Sequence, residues 1–259
     1  MSSYYQSFDG VKISYEEKGN GKPIIFLPGW SMGKAYFRKQ IDGLSDRYKI
    51  ITLDLRGMGD SEKVTEKPDI EIWAKDLREF LKNKNFSHFI LAGWSMGAFA
   101  MWKYFDLFGK NGLDGMIVLE MVGNLGEPGW AADENTSMEQ DYKKYVAGFV
   151  EGMFRVSPPP NELSLLIAES QKTPLKTAQY LNLVLENADL RSIFPKIDVP
   201  TLIIYGKYLL FFTQEQEQET IKGIKNAKTV IFENSKHCPF WEEPAECNEL
   251  IAKFVENIS

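Results

Sequence analysis

Histidine and cysteine are both scarce in this sequence, with two of each in 259 residues. Cys238 and Cys247 form no C-x-x-C pair and no secreted disulfide framework, so they read as buried free thiols of a reducing compartment. Without a cluster of metal-ligating residues or a glycine-rich dinucleotide fingerprint, neither a metal nor an organic cofactor is expected. No apolar run approaches the ~20 residues that a membrane-spanning helix needs. The opening Met1-Ser2-Ser3-Tyr4-Tyr5-Gln6 lacks the basic start and apolar run of a secretory signal, so the expected location is cytoplasmic. Positive charge is in deficit too: 30 Lys and Arg stand against 36 Asp and Glu, a net charge of −6. An acidic surface repels phosphate backbones and anionic lipid, which argues against nucleic acid and membrane as partners.

What is present is a rhythm of short apolar runs separated by helical patterns. Residues 3–18 read as two strands around the turn-forming pair Asp9-Gly10. Ile24–Leu27, Ile50–Leu53, Phe89–Ala92, Met116–Leu119, Thr201–Tyr205 and Thr229–Phe232 are continuous apolar stretches, as in strands buried on both faces of a parallel sheet. Helical patterns such as Ile70–Leu81 and Met96–Phe108 lie between them. The fold class is therefore α/β, a mostly parallel doubly wound sheet with an antiparallel edge from the opening hairpin. The rhythm breaks from about Val122 to Leu190. There Tyr142, Tyr145, Val146, Phe149, Val150 and Met153 share one helix face. Pro158-Pro159-Pro160 should stop any helix, with new ones over Leu163–Ala168 and Ala178–Leu185. The expected division is a core domain of residues 1–121 and 191–259 and a helical cap subdomain of residues 122–190. Gln214–Glu219 suits a helix first turn capped by Thr213.

The sharpest motif is Phe89-Ile90-Leu91-Ala92-Gly93-Trp94-Ser95-Met96-Gly97-Ala98, a buried strand, then G-x-S-x-G, then a helix start. In that setting the serine stands on a sharp strand-to-helix turn with its hydroxyl clear of the backbone, a nucleophile elbow. On this segment the chain resembles the α/β-hydrolase family, in its capped esterase-like and haloperoxidase-like branch. The resemblance runs through nearly all of the core domain and is weakest in the cap. Asp54-Leu55-Arg56-Gly57-Met58-Gly59-Asp60-Ser61 is similar to the family's D-x-R-G-x-G-x-S turn, whose role is structural. Leu27-Pro28-Gly29-Trp30 resembles its H-G-x loop, with Pro28 in place of histidine, and implies that the N–H groups of Trp30 and Met96 form an oxyanion hole.

A serine nucleophile needs an adjacent base, and the choice is narrow. His88 stands just before the elbow strand, at a surface or packing position. His237 lies in Ser235-Lys236-His237-Cys238-Pro239-Phe240-Trp241-Glu242-Glu243-Pro244, which resembles the family's G-H-x-x-x-x-E-x-P segment with Lys236 replacing glycine. His237 is the expected base. The family's usual acid, an aspartate after the penultimate strand, falls here on Leu209. Glu120 ends the strand after the elbow helix and keeps the order Ser, acid, His; haloalkane dehalogenases resemble this arrangement. Glu215, Asp114 and a Ser–His dyad without an acid remain alternatives.

The resemblance implies a serine hydrolase, carboxylesterase-like, that cleaves a small or medium hydrophobic ester through an acyl-enzyme. Trp30, Trp94, Phe211 and Phe240 are the expected substrate-binding residues, in segments that also hold Phe212 and Trp241. Gly93-Trp94-Ser95-Met96-Gly97 is similar to pimeloyl-carrier-protein methyl ester esterase-like proteins, which makes an acyl carrier protein a candidate partner beside a small-molecule ester. Lys143, Lys144, Arg155, Lys172 and Lys176 could receive it, or form an ordinary solvated helix face. Two other readings stand beside the esterase: a cofactor-free perhydrolase of haloperoxidase type, and a non-catalytic binding protein on the same fold.

Overall fold

The apolar runs become one eight-stranded sheet in the computed structural model, which describes residues 3–64, 68–126, 129–208 and 211–258. The strands are β1 (Ser3–Gln6), β2 (Lys12–Lys18), β3 (Pro23–Leu27), β4 (Lys49–Leu53), β5 (Phe89–Trp94), β6 (Leu113–Leu119), β7 (Thr201–Gly206) and β8 (Ala227–Phe232). Their order is β1-β2-β4-β3-β5-β6-β7-β8. The β1–β2 hairpin is antiparallel and joins β4 antiparallel, while β3 to β8 pair in parallel. Strand order reverses at β3, which has β4 on one side and β5 on the other. Ligand crevices open beyond the carboxyl ends of strands at such a switch point. Here Leu27 pairs with Gly93, Trp94 with Leu119 and Leu119 with Ile204, so the ends of β3, β5, β6 and β7 lie level.

Side chains alternate across these strands into two apolar layers. Ile25, Leu91, Val118 and Ile203 face α2 (Ile70–Asn83) and α3 (Met96–Phe108), whose Trp73, Phe80 and Phe99 are fully buried. Phe26, Trp94, Leu119 and Ile204 face the other layer, with Ile41 of α1 (Arg38–Leu44) and Ile251 of α10 (Pro244–Asn257). Between β6 and β7 come α4 (Trp130–Gln140), α5 (Tyr142–Gly152), α6 (Pro160–Ser170) and α7 (Leu175–Asn187); α8 (Gln214–Gly223) and the short α9 (Pro239–Glu242) complete the helices used below. The proline triplet does not separate α6 from its start: Pro160 is the first residue of α6, where a missing N–H costs nothing and the fixed φ suits the helix. Thr213 caps α8 reciprocally with Gln216. Among the described residues no helix is long and apolar enough to cross a membrane.

The helical insertion leaves and re-enters the sheet through a narrow neck. Leu190 N–H donates to Gly123 O at 2.9 Å, and Asn124 Nδ2 to Ala188 O at 3.1 Å. Ion pairs centred on the buried Lys34 and Arg56 hold other loops. Lys34 Nζ lies 2.7 Å from both Asp54 Oδ2 and Asp60 Oδ2, and Lys172 of the α6–α7 turn adds a bond of 2.7 Å to Asp60 Oδ1. Arg56 Nε meets Asp76 Oδ2 of α2 at 2.7 Å while its Nη1 meets Asp9 Oδ2 at 2.7 Å, tying the opening hairpin down. The D-x-R-G-x-G-x-S segment thus works as a junction of loops.

Removing the cation from a buried pair leaves a carboxylate uncompensated, so Lys34→Met should cost roughly 3 kcal/mol in urea unfolding. Lys18→Met, which breaks the exposed Lys18–Asp42 pair at 3.3 Å, is the control and should cost almost nothing. Equal shifts in the two variants would show that the Lys34 junction does not hold the fold.

Candidate functional site

Ser95 occupies the turn between β5 and α3 with φ 51° and ψ −125°, a backbone conformation that side chains rarely adopt. Its neighbours explain the glycines. A Cβ on Gly93 would come 2.5 Å from Cα of Ala98, and one on Gly97 would run into the backbone of Leu27 and Pro28. The bend is held by Ser95 N–H donating to Leu119 O at 2.9 Å, across to the end of β6. Gly29 packs against the serine, where an added Cβ would lie 3.1 Å from Ser95 Cβ. The amides of Trp30 and Met96 flank this point, and neither donates to an acceptor among the described residues. Met96 opens α3, so its N–H is one of the helix's unsatisfied donors and sits at the positive end of the dipole.

Glu120, directly after β6, has φ 52° and no exposure to solvent. Its carboxylate spans two elements. Oε1 accepts from the Gly206 amide at the end of β7, and Oε2 lies 3.3 Å from His237 Nδ1. His237 is only 2% exposed, and both of its backbone polar groups are engaged. Its N–H donates to Met153 O at 3.0 Å, just past α5, and its carbonyl accepts from Trp94 Nε1 at 2.9 Å. Burial pushes the imidazole down to about 3, with the Lys236 charge acting in the same direction. Burial likewise pushes the Glu120 carboxyl well above the usual carboxylate range, against the pull of the Gly206 amide. Burial therefore favours the neutral ring, the form that can accept a proton.

The alternative carboxylates lie elsewhere. Asp114 Oδ1 is 3.0 Å from Nδ1 of the other histidine, His88, which is exposed. Glu215 is in the exposed first turn of α8. Leu209, where the aspartate is expected by resemblance, falls outside the described residues.

Ser95 and His237 line one cavity of about 410 Å³ between the sheet's carboxyl edge and the insertion. Its wall includes Trp30, Met121, Leu125, Phe149, Leu185 and Phe211. Trp30 is held there by its indole N–H, which donates to Ala178 O of α7 at 3.0 Å, and by Phe149 at 4.8 Å between ring centroids. Phe211 stands edge-on to the His237 ring at 4.7 Å. Two of the four expected substrate-binding aromatics are absent from that wall among the described residues. Strand alternation turns Trp94 into the layer under α1 and α10, where its ring meets that of Phe240 at 4.9 Å, and both are fully buried. They support the histidine loop from behind. Phe212 packs on Tyr205 at 5.5 Å, and Cys238 and Cys247 are free and buried. Glu134 of α4 and Asn182 of α7 are polar residues on the same wall that carry no signal in the sequence, because nothing in their surroundings marks them apart from solvated helix positions.

With the geometry in hand, comparison with known proteins gives a consistent picture. A family model described as alpha/beta hydrolase fold matches residues 22–184. The AB hydrolase superfamily protein YisY of Bacillus subtilis (strain 168) is 29% identical, covering 98% of this chain and 99% of that protein. The pimeloyl-acyl-carrier-protein methyl ester esterase of Aeromonas hydrophila is 24% identical over 95% of this chain and 100% of its own length. Among solved structures, an esterase from Exiguobacterium antarcticum superposes with a TM-score of 0.93 at 26% identity, covering 99% of this chain and 100% of that one.

The depressed His237 value has a consequence for stability. Below the ordinary 6.5 the unfolded chain takes up a proton that the folded ring refuses until about 3, so stability is present above that window and lost as pH falls through it. Urea unfolding at about pH 7 and about pH 5 should show a loss larger by roughly 2 kcal/mol in the native protein than in His237→Asn. Parallel losses would mean that the ring is not held neutral.

Proposed function

Given that this chain belongs to the α/β-hydrolase fold family, we propose that it is a serine esterase in which Ser95, His237 and Glu120 act together. His237 Nε2, the ring nitrogen turned away from Glu120, takes the proton as Ser95 Oγ attacks the ester carbonyl. The amides of Trp30 and Met96 donate to the oxyanion that forms, and loss of one such donor generally costs about 3 kcal/mol of barrier. The alcohol departs with the proton held by His237, and water then cleaves the acyl-enzyme by the same route. Glu120 accepts from Nδ1–H, fixes the tautomer and offsets the charge of the transient imidazolium.

The observation that carries this reading is the contact of 3.3 Å between Glu120 Oε2 and His237 Nδ1, beside a cavity that both His237 and Ser95 line. It supports a carboxylate directly after β6 as the partner of the imidazole, a reading that needs no aspartate after β7. The aromatic and aliphatic wall suits a small or medium hydrophobic acyl group, with residues 122–190 acting as the cap over it. A carrier protein is the less favoured partner despite the named activity of the Aeromonas relative. Of the basic residues it could dock on, Lys172 pairs with Asp60 and Glu169, Lys176 with Glu139, and Arg155 bonds Asn234 and stacks over Tyr208.

Ser95→Ala should abolish hydrolysis of p-nitrophenyl esters and labelling by a fluorophosphonate, with the unfolding midpoint retained. Glu120→Gln should lower kcat by up to ~10⁴-fold, the loss seen when a triad acid is neutralised. Full turnover in a folded Glu120→Gln protein would remove Glu120 from the mechanism, and unlabelled Ser95 in the native protein would remove the esterase.

A further inference from the structure

The cavity is not uniformly apolar. On the insertion side it is lined by Glu134 from α4, Asn182 from α7 and Tyr145 from α5. Tyr145 donates its hydroxyl to Glu134 Oε2, which leaves Oε1 without a partner among the described residues. Asn182 is only 5% exposed, and its Nδ2 donates to Asn135 Oδ1 at 3.0 Å. Its own carbonyl oxygen accepts nothing from the described residues. Two residues with an unpaired acceptor therefore line the one cavity, and no lysine or arginine lines it among the described residues. Beside them three aromatic residues of the same wall pack edge-on, Trp30 against Phe149 at 4.8 Å and against Tyr145 at 6.3 Å, and aromatic rings attract a cation brought near them.

We propose that Glu134 and Asn182 are specificity residues that seat a protonated amine, so that the preferred esters carry an ammonium group away from the scissile bond. This rests on the esterase reading above and adds its substrate class. A carboxylate beside an amide oxygen, with one formal negative charge between them, matches an ammonium donor and repels a substrate that ends in a carboxylate. A wholly apolar chain lying against these acceptors would displace their water without replacing its hydrogen bonds, which penalises that chain instead. Glu134, Tyr145 and Phe149 also line an open groove of α4 and α5 that holds Asp141 and Lys144, so the ammonium sits where water still reaches it. That placement keeps the desolvation cost of the charge below that of a fully enclosed ion pair.

The test compares matched esters, one ending in a protonated dimethylamino group and the other in an isopropyl group of the same shape. One pair carries the group on the acyl half and a second pair on the alcohol half. The native protein should favour the cationic member of at least one pair in kcat/KM. Glu134→Gln keeps an oxygen for the Tyr145 hydroxyl while removing the charge, and should lower that preference about tenfold. Asn182→Asp should raise it. No cationic preference in either pair, or a preference unmoved by Glu134→Gln, overturns the proposal. If Glu134→Gln does not fold, inhibition of the native protein decides. A dimethylalkylammonium ion should inhibit hydrolysis of the neutral ester competitively and more strongly than its isopropyl isostere, and equal inhibition overturns the proposal. Hydrolysis of all these esters by Ser95→Ala would instead overturn the serine mechanism, which separates the two failures.

Discussion

A carboxylate wholly removed from water is costly unless donors surround it, and the arrangement around Glu120 follows from that requirement. Its two oxygens are met by a backbone amide from β7 and a ring from the loop after β8, so three separate chain segments must arrive together. Each arrival has its own constraint. Glu120 leaves β6 through a positive φ, and Gly206 must be glycine because a Cβ there would lie 2.6 Å from the carbonyl of Ser235. The same crowding presses the histidine loop against the sheet end, where the Trp94 indole donates to the His237 carbonyl.

Much of the fold was legible because a parallel sheet covered on both faces leaves continuous apolar runs, and these mark strands without ambiguity of face. The elbow was legible because Gly93 and Gly97 have steric reasons to be glycine that survive in the sequence. Glu120 could be read as a candidate from its place after a strand adjoining the elbow strand. A chain with so few histidines also left little choice of base.

The cavity wall was not legible in the same way. Trp94 neighbours Ser95 in sequence, yet alternation along β5 sends its indole into the layer beneath, while Trp30, on a loop free of that alternation, reaches the cavity. Along α5 the aromatic stripe splits by a small rotation: Val146 and Val150 are fully buried, and Tyr145 and Phe149 line the cavity. Periodicity identifies the covered face of a helix but not which edge of that face borders empty space. Glu134 carried no signal for the same reason.

The contact of the insertion with the histidine loop bears on how such a chain could diversify. Met153 O accepts the amide of His237, Gly152 O accepts from Lys236 Nζ, and Arg155 N–H donates to Glu242 Oε1. A chimera that exchanged the segment between the neck residues Gly123 and Leu190 for that of another protein would keep its attachment to the sheet. It would also replace the ledge on which His237 rests. Under the proposed esterase mechanism, recombination of this segment is therefore coupled to catalysis, and a successful transplant must bring a matching turn after its second helix.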